Sequence, residues 1–292
     1  MDLPLIVGVD GSDSSPTAVD RAVDEAVRHG LPLHPVPASL REIHEGAKPS
    51  FGTDRPAEEV MAEHIVPSCV ERAHHRNFRT KDSDEELAQD SVSALLRAGL
   101  EGSALVTGSR GRGQIAGILL GYVRLAVAAR AVCPVVVVRG AEPNRRGALG
   151  RIVVGVGDTT GSAAAVRFAV REAEVRGGAL TAVRIWRNPS QEPVDHMPIA
   201  DDAARLREER AATGLDDALR EAVREHPQAD VRRQPLEGPA HRILMKASAE
   251  DDMIVVFRAQ RRHEHFGPQV GGGAQTLLHR SDRPVTVVPQ PV

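Results

Sequence analysis

The chain has 292 residues, a formal net charge of −3 and 41% hydrophobic residues, but only 2% aromatic residues. Its length suits one large domain or two ordinary ones, and its mixed basic and acidic residues leave no basic footprint for DNA or RNA. The scarcity of aromatic side chains also argues against a base-stacking surface for single-stranded nucleic acid. A core of small aliphatic side chains instead favours buried parallel strands with helices on both faces.

The cysteines and the first residues bear on the compartment. Cys69 and Cys133 form no C-x-x-C pair, so they predict neither a zinc site nor a redox motif, and they favour a reduced compartment. The chain starts without a cationic leader, and its longest uncharged apolar region, near residues 115–123, is too short to span a bilayer. We therefore expect a cytoplasmic protein that binds neither a membrane nor nucleic acid.

The first half of the chain alternates apolar strands with amphipathic helices. Residues 5–10 form an apolar run typical of a buried strand, and the turn residues 11–16 supply helix-capping chemistry. Apolar side chains at three- and four-residue spacing then predict a helix that ends at Gly30. The later elements of this half are a strand at 31–36, a helix at 57–76, a strand at 78–80, a helix at 92–98, a strand at 104–107, a helix at 121–132 and a strand at 134–138.

A second copy of this pattern begins after a polar linker at residues 141–147. The run 151–158 repeats the first strand at an offset of 147, and 284–288 repeats the last strand at an offset of 150. Between them the sequence predicts strands at 180–186, 231–233 and 253–257, and a long amphipathic helix at 201–226. A repeat of this size predicts two copies of one fold. The sequence therefore predicts domain 1 over residues 1–143 and domain 2 over residues 144–292.

A glycine-rich loop, Gly108-Ser109-Arg110-Gly111-Arg112-Gly113, separates the strand at 104–107 from the helix that follows. Glycines after a strand let the backbone approach a ligand, and a helix behind them directs free N–H groups and its positive dipole end at an anion. This arrangement predicts a phosphate cradle, and a tight turn without a ligand is the plain alternative. A P-loop is excluded because the chain has no Gly-Lys pair. A dinucleotide-binding fingerprint does not fit either, because it would follow the first strand of the fold, whereas this loop follows the strand at 104–107.

The spacing Gly108-x-x-Gly111, nine residues, then Gly121 resembles the G-2x-G-9x-G-[ST] nucleotide motif of the universal stress protein family. The resemblance covers nearly the whole chain as two tandem domains and is weak at residues 38–85. It implies two tandem open parallel five-stranded sheets with helices on both faces, a Rossmann-like α/β fold of the adenine nucleotide alpha hydrolase type. It also implies ATP on the glycine loop, with Mg²⁺ on the phosphates, and an aspartate at the end of the first strand that contacts the adenosine side.

The resemblance places a candidate nucleotide site in domain 1. Its residues are Val9, Asp10, Gly108, Ser109, Arg110, Gly111, Gly121, Tyr122 and Val123. Tyr122 departs from the family pattern, because a bulky phenol stands where the family has a serine or threonine beside a phosphate. Asp before Gly at a strand end is also ordinary turn chemistry, so Asp10 has a purely structural interpretation as well.

Domain 2 has lost more of the motif. Gly157 stands at the position of Asp10, and Arg258 and Arg261 stand at the positions of the first two motif glycines. Arginine lacks the backbone freedom of glycine, so the cradle should be absent and ATP should bind once per chain. The basic cluster at 261–265 would bind an anion through side chains or be a solvated charged loop.

Three functions compete on these residues. The first is a regulatory stress-response protein that binds ATP in domain 1 and couples ATP occupancy to an unidentified protein partner or to its own conformation. The second is a nucleotide-free interaction module that retains only the fold, which Tyr122 and the altered second domain favour. The third is an enzyme such as a slow ATP hydrolase, but the sequence offers no candidate general base beside the loop. We assign no catalytic residue and no metal ligand.

Two apolar terminal strands, 135–138 and 285–288, predict how the domains assemble. A bare apolar strand edge invites pairing with another edge. The resemblance to the family implies that its domains dimerise through their last strands. We therefore expect the two domains to pack as an intrachain pseudo-dimer, with a homodimer of whole chains as a further assembly.

Overall fold

The structure is a computed structural model, and its described residues fall into a series of separate stretches. These are 2–10, 12, 14–37, 71, 91–109, 122–140, 150–157, 162–187, 197–248, 253–258, 260–263 and 267–290. The chain divides into two compact units, unit 1 (Met1–Arg139 with Arg262–Gln269) and unit 2 (Gly140–Arg261 with Val270–Val292). The predicted domain boundary at 143/144 stays a prediction, because residues 141–149 lie outside the described stretches.

The helices and strands of the described stretches follow one another in nearly strict alternation. In the first half they are β1 (Leu5–Val9), α1 (Ser15–His29), β2 (Leu33–Pro37), α2 (Ser91–Ala98), β3 (Ala104–Gly108), α3 (Tyr122–Arg130) and β4 (Val135–Val138). In the second half they are β5 (Ile152–Val156), α4 (Ser162–Arg176), β6 (Ala179–Trp186), α5 (Met197–Glu225), β7 (Asp230–Glu237), α6 (Ala240–Ala247), β8 (Met253–Phe257), β9 (Gln260–His263), β10 (Gly267–Val270), α7 (Gly272–Arg280) and β11 (Val285–Val288).

The described strands of unit 1 form a parallel sheet in the order β2-β1-β3-β4. Leu5 pairs with Leu33 on one side and with Ala104 on the other, so β1 is an inner strand. One of the five strands predicted for this domain, at 78–80, lies outside the described residues. The helix predicted at 57–76 also lies outside them, except for residue 71.

The described strands of unit 2 pair in parallel in the order β7-β6-β5-β8-β11, which agrees with the five parallel strands per domain that the family resemblance implies. The strand predicted at 231–233 is longer than expected, because β7 runs over eight residues and includes Pro235. β7 ends the order of described strands, and an edge position tolerates a proline that donates no hydrogen bond. Strand β9, which pairs with β10, was not predicted, because its residues look like a charged loop.

Helices cover both faces of each sheet, which explains why the inner strands are apolar throughout. In unit 1, Val7 packs with the apolar face of α1, whereas a side chain at Gly8 would lie 3.0 Å from Leu95 of α2. In unit 2, Val154 packs with α4 and α5, and a side chain at Gly155 would lie 3.1 Å from Leu244 of α6. The α/β fold class predicted from the sequence is therefore confirmed.

The first helix of each unit ends in the same way. Gly30 after α1 and Gly177 after α4 adopt the left-handed conformation, with φ of 65° and 59°. Leu31 and Gly178 then donate backbone hydrogen bonds to Ala26 and Ala173 in the last turns of their helices. Glycine adopts this conformation at low cost, which explains why both copies of the repeat place it there. Among the described residues, none of the helices is long and apolar enough to cross a membrane.

Candidate functional site

The site predicted in domain 1 lies where the strand order of unit 1 changes direction. The chain passes from β1 through α1 to β2 on one side, and β3 pairs with β1 on the other side. Ligands of open parallel sheets bind beyond the carboxyl ends of the strands at such a point. Because Val7 pairs with Val106, the ends of β1 and β3 bring Asp10 and Gly108 to the same sheet edge.

The carboxylate of Asp10 is held by the turn that precedes α1. Its Oδ1 accepts hydrogen bonds from the Ser12 N–H at 2.9 Å and from the Ser15 hydroxyl at 2.6 Å. The Asp10 N–H donates in turn to the Ser15 hydroxyl at 3.0 Å. Asp10 Oδ2 accepts no hydrogen bond from the part of the chain that the structure describes. One carboxylate oxygen of Asp10 therefore orders the turn that precedes α1.

Gly108 allows the end of β3 to approach this turn closely. A side chain at Gly108 would contact Ser14, lying 3.0 Å from its Cβ and 3.2 Å from its carbonyl oxygen. The Ser14 hydroxyl also lies 3.0 Å from the Ser12 hydroxyl, so the turn could not yield without losing this contact. The first motif glycine is thus required for packing between the two loops that flank the strand ends.

An arginine of α3 reaches back to the beginning of the glycine-rich loop. Arg124 donates a hydrogen bond from Nη1 to the carbonyl oxygen of Ser109, the residue that follows β3. Burial lowers the pKa of the Arg124 guanidinium below its ordinary value, and the charge of Arg139 lowers that pKa further. Arg139 follows β4, and the pairing of Gly108 with Val138 brings Arg139 beside Ser109.

Sequence reasoning missed both arginines. The available signal was a basic residue, Arg124, in the first turn of the helix behind the glycines. Arg139 gave no signal, because its proximity depends on the register between β3 and β4.

The remaining predicted residues have different outcomes. Val9 is buried in the core and 1% exposed, so it packs under the site. Val123 lies in the first turn of α3 and is partly exposed. Arg110, Gly111 and Gly121 lie outside the described residues, and α3 begins at Tyr122, whose side chain is also outside them.

The equivalent place in unit 2 is filled by the protein's own side chains. Gly157 follows β5 at the position of Asp10, and a side chain there would lie 2.7 Å from the ring of Phe257. Arg184 donates from Nη1 to the Gly157 carbonyl oxygen at 3.4 Å. Its guanidinium carbon also lies 2.8 Å from where a side chain at Gly214 would begin. A phenyl ring and a guanidinium therefore occupy the region beside the end of β5.

Arg258 stands at the position of Gly108 and is 6% exposed. Its N–H donates to the Val288 carbonyl oxygen at 2.8 Å, and burial lowers the pKa of its guanidinium below the ordinary value. Unit 2 therefore retains the strand ends, but Gly157 replaces the carboxylate of Asp10 and Arg258 replaces Gly108.

Comparison with known proteins shows which protein family the sequence matches. The model of the Universal stress protein family matches residues 3–139 and 149–289. A universal stress protein of Mycolicibacterium smegmatis is 26% identical, over 97% of this chain and 96% of its own length. One from Mycobacterium tuberculosis strain H37Rv is 28% identical, over 98% of this chain and 97% of its own length.

The similarity to solved structures concerns the fold. The crystal structure of a universal stress protein from Archaeoglobus fulgidus matches with a TM-score of 0.70 and 16% identity, over 99% of this chain and 96% of that chain. A putative universal stress protein from Pseudomonas aeruginosa matches with a TM-score of 0.62 and 15% identity, over 99% of this chain and 94% of that chain.

Proposed function

Because the chain belongs to the universal stress protein family, with one match to the family in each half, we propose that it is a stress-response regulator whose domain 1 binds ATP. The observation that carries this proposal is the pair Asp10 and Gly108 at adjoining strand ends. Asp10 keeps Oδ2 for the ribose hydroxyls of the nucleotide, because an ionised carboxylate oxygen accepts hydrogen bonds from hydroxyl groups. The loop that starts at Ser109 holds the phosphates, with Mg²⁺ on the phosphate oxygens.

Domain 2 does not bind nucleotide in this proposal. The ring of Phe257 and the guanidinium of Arg184 take the space beside Gly157, and a glycine stands there at the position of Asp10. Arg258 replaces the glycine that lets two loops approach in unit 1. One ATP per chain follows, with domain 2 serving as a structural or partner-binding half.

The wider assembly is proposed from the sequence. Domains 1 and 2 are divided at 143/144 and pack as an intrachain pseudo-dimer, with a homodimer of whole chains as a further assembly. The protein acts in the cytoplasm on a regulatory protein partner.

A variant pair at the Asp10 turn tests ATP binding. Asp10→Ala removes the carboxylate, and Ser15→Ala removes one hydrogen bond to it while leaving the carboxylate in place. We expect Asp10→Ala to weaken ATP binding about tenfold or more in calorimetric titrations, since a hydrogen bond to a charged group contributes about 1.5–3 kcal/mol. Ser15→Ala should retain nearly full affinity while lowering the unfolding temperature. Equal affinity in wild type and Asp10→Ala would contradict the assigned role.

The presence of tyrosine at position 122 is an argument for the competing function, a nucleotide-free interaction module. Tyr122 begins α3, where the family pattern has a small hydroxyl residue. If the phenol excludes the phosphates, the wild type will bind no ATP and Tyr122→Ser will restore binding. If neither protein binds ATP, the interaction module becomes the better account of the chain.

A further inference from the structure

We propose that Arg124 and Arg139 form a subsite for the terminal phosphates of the nucleotide, so that domain 1 selects a nucleoside triphosphate over a monophosphate. This inference rests on the proposed function, because it specifies which ligand the same site prefers. The two arginines lie outside the glycine motif, and each reaches the site from a different element.

Arg124 is fixed at the entrance of the glycine-rich loop. Its Nη1 donates to the carbonyl oxygen of Ser109, the first residue after β3, and its side chain is only partly buried. A guanidinium carries five N–H donors in a planar fork, which suits the oxygens of a phosphate. The hydrogen bond to Ser109 therefore orients a phosphate-binding fork at the point where the loop leaves the sheet.

Arg139 brings a second positive charge to the same edge. Gly108 pairs with Val138 across β3 and β4, so Ser109 and Arg139 are the next residues on two adjoining strands. The charge of Arg139 is close enough to lower the pKa of Arg124, after the larger effect of burial. Two neighbouring like charges repel, and a polyanion placed beside them replaces that repulsion with attraction to both.

The order of the strands determines which phosphate these arginines would meet. Asp10 follows β1, Ser109 follows β3 and Arg139 follows β4, and these strands are neighbours in that order. Two strand intervals, about 10 Å in all, therefore separate the end of β1 from the end of β4. A monophosphate stays next to the ribose on the β1 side, whereas a triphosphate extends along the edge towards Arg124 and Arg139.

Both arginines are missing together from the second copy of the repeat. At the offset of 150 that relates the last strands, Ala274 stands at the position of Arg124 and Pro289 at the position of Arg139. The copy that carries Asp10 and Gly108 thus also carries both cations. Their joint presence in one copy is expected if the arginines bind the same ligand as the carboxylate.

Calorimetric titration of the full-length protein with ATP and with AMP tests the subsite. We expect the wild type to bind ATP about tenfold or more tightly than AMP. Arg124→Gln and Arg139→Gln should each lower ATP affinity about 10- to 100-fold and leave AMP affinity nearly unchanged. Arg130→Gln is the matched control, because Arg130 is an exposed arginine of the same helix and its Nε donates to the Ala126 carbonyl oxygen at 3.4 Å. It should retain the wild-type ratio of the two affinities.

Two further measurements separate the possible failures. Arg124→Lys keeps the charge and should retain part of the ATP preference, and equal unfolding temperatures will show that the variants remain folded. An ATP-to-AMP ratio near one in the wild type, or a ratio that Arg124→Gln and Arg139→Gln leave unchanged, overturns the subsite while nucleotide binding stands.

Inorganic tripolyphosphate probes the subsite without the adenosine. Tripolyphosphate that binds the wild type as tightly as ATP does, and fails to bind Arg124→Gln, would support the phosphate subsite. The same result would contradict recognition of adenosine by the site. If neither ATP nor tripolyphosphate binds, the subsite and the proposed function both fall.

Discussion

At the scale of single residues, Asp10 serves both the fold and the proposed site. Its Oδ1 orders the turn before α1 through Ser12 and Ser15, and its Oδ2 faces no described donor. A residue with two roles must be tested by variants that separate them. The pair Asp10→Ala and Ser15→Ala does so, because only the first removes the oxygen that a ligand would use.

Cys133, in contrast, is a buried side chain of the core, and its burial keeps the thiol protonated and unreactive. Burial raises the pKa of its thiol to about 11, from an ordinary 9.0, against a smaller lowering by a backbone hydrogen bond. At pH 8 the thiolate is therefore about one in a thousand of the folded molecules and about one in ten of the unfolded ones.

We expect the Cys133 thiol to react with iodoacetamide at pH 8 far more slowly in the native protein than in denaturant, as followed by peptide mass spectrometry. The same shift works against stability at high pH. The unfolded thiol ionises first as pH rises above about 9, so its contribution to the free energy of unfolding decreases until about pH 11. Equal alkylation rates in native and denatured protein would contradict the buried, protonated thiol.

The residues of the candidate site differ in how far the sequence could reveal them. Asp10 and Gly108 were predicted, because a strand end followed by turn residues is a local pattern and because the glycine spacing resembles a family motif. Arg139 could not be predicted from its own surroundings, and Arg124 offered only its place in the first turn of α3. Arg139 lies beside Ser109 because of the register of β3 with β4, and Arg124 contacts Ser109 through its side chain.

At the scale of helices and strands, prediction worked where the residues repeat one periodicity without interruption. The aliphatic runs of β1, β4, β5 and β11 appear as strands close to their predicted bounds, because strands buried on both faces are apolar throughout. Strand β7 was predicted too short, because its proline and arginines interrupt any apolar pattern and its register is set by pairing with β6. Pairing between strands is information that a single segment does not contain.

The loop after β5 offers a test of how unit 2 is filled. A Gly157→Ala methyl group would lie 2.7 Å from the ring of Phe257, and overpacking of this kind costs about 1–3 kcal/mol. Gly273→Ala is the control, because Gly273 lies in α7 with no atom within 4 Å of an added methyl group. In a helix this replacement should stabilise by about 0.5–1 kcal/mol.

Thermal unfolding of the two alanine variants should therefore shift in opposite directions. A Gly157→Ala protein as stable as the wild type would mean that the Phe257 ring does not fill the space beside β5.

At the scale of the whole molecule, one fold occurs twice with two different sets of residues at the strand ends. In both units the first strand pairs with the second strand on one side and with a later strand on the other. Unit 1 has Asp10 and Gly108 at these ends, whereas unit 2 has Gly157 and Arg258. The chain therefore keeps the scaffold in both copies, and its candidate nucleotide chemistry lies in the first.

The number of ATP molecules bound per chain tests this account most directly. Native mass spectrometry of the purified full-length protein, titrated with ATP and Mg²⁺, counts bound nucleotides on each chain. We expect one ATP per chain in the wild type and none at the same ATP concentration in Asp10→Ala combined with Arg124→Gln. Two ATP molecules per chain, or one that persists in the double variant, would contradict it.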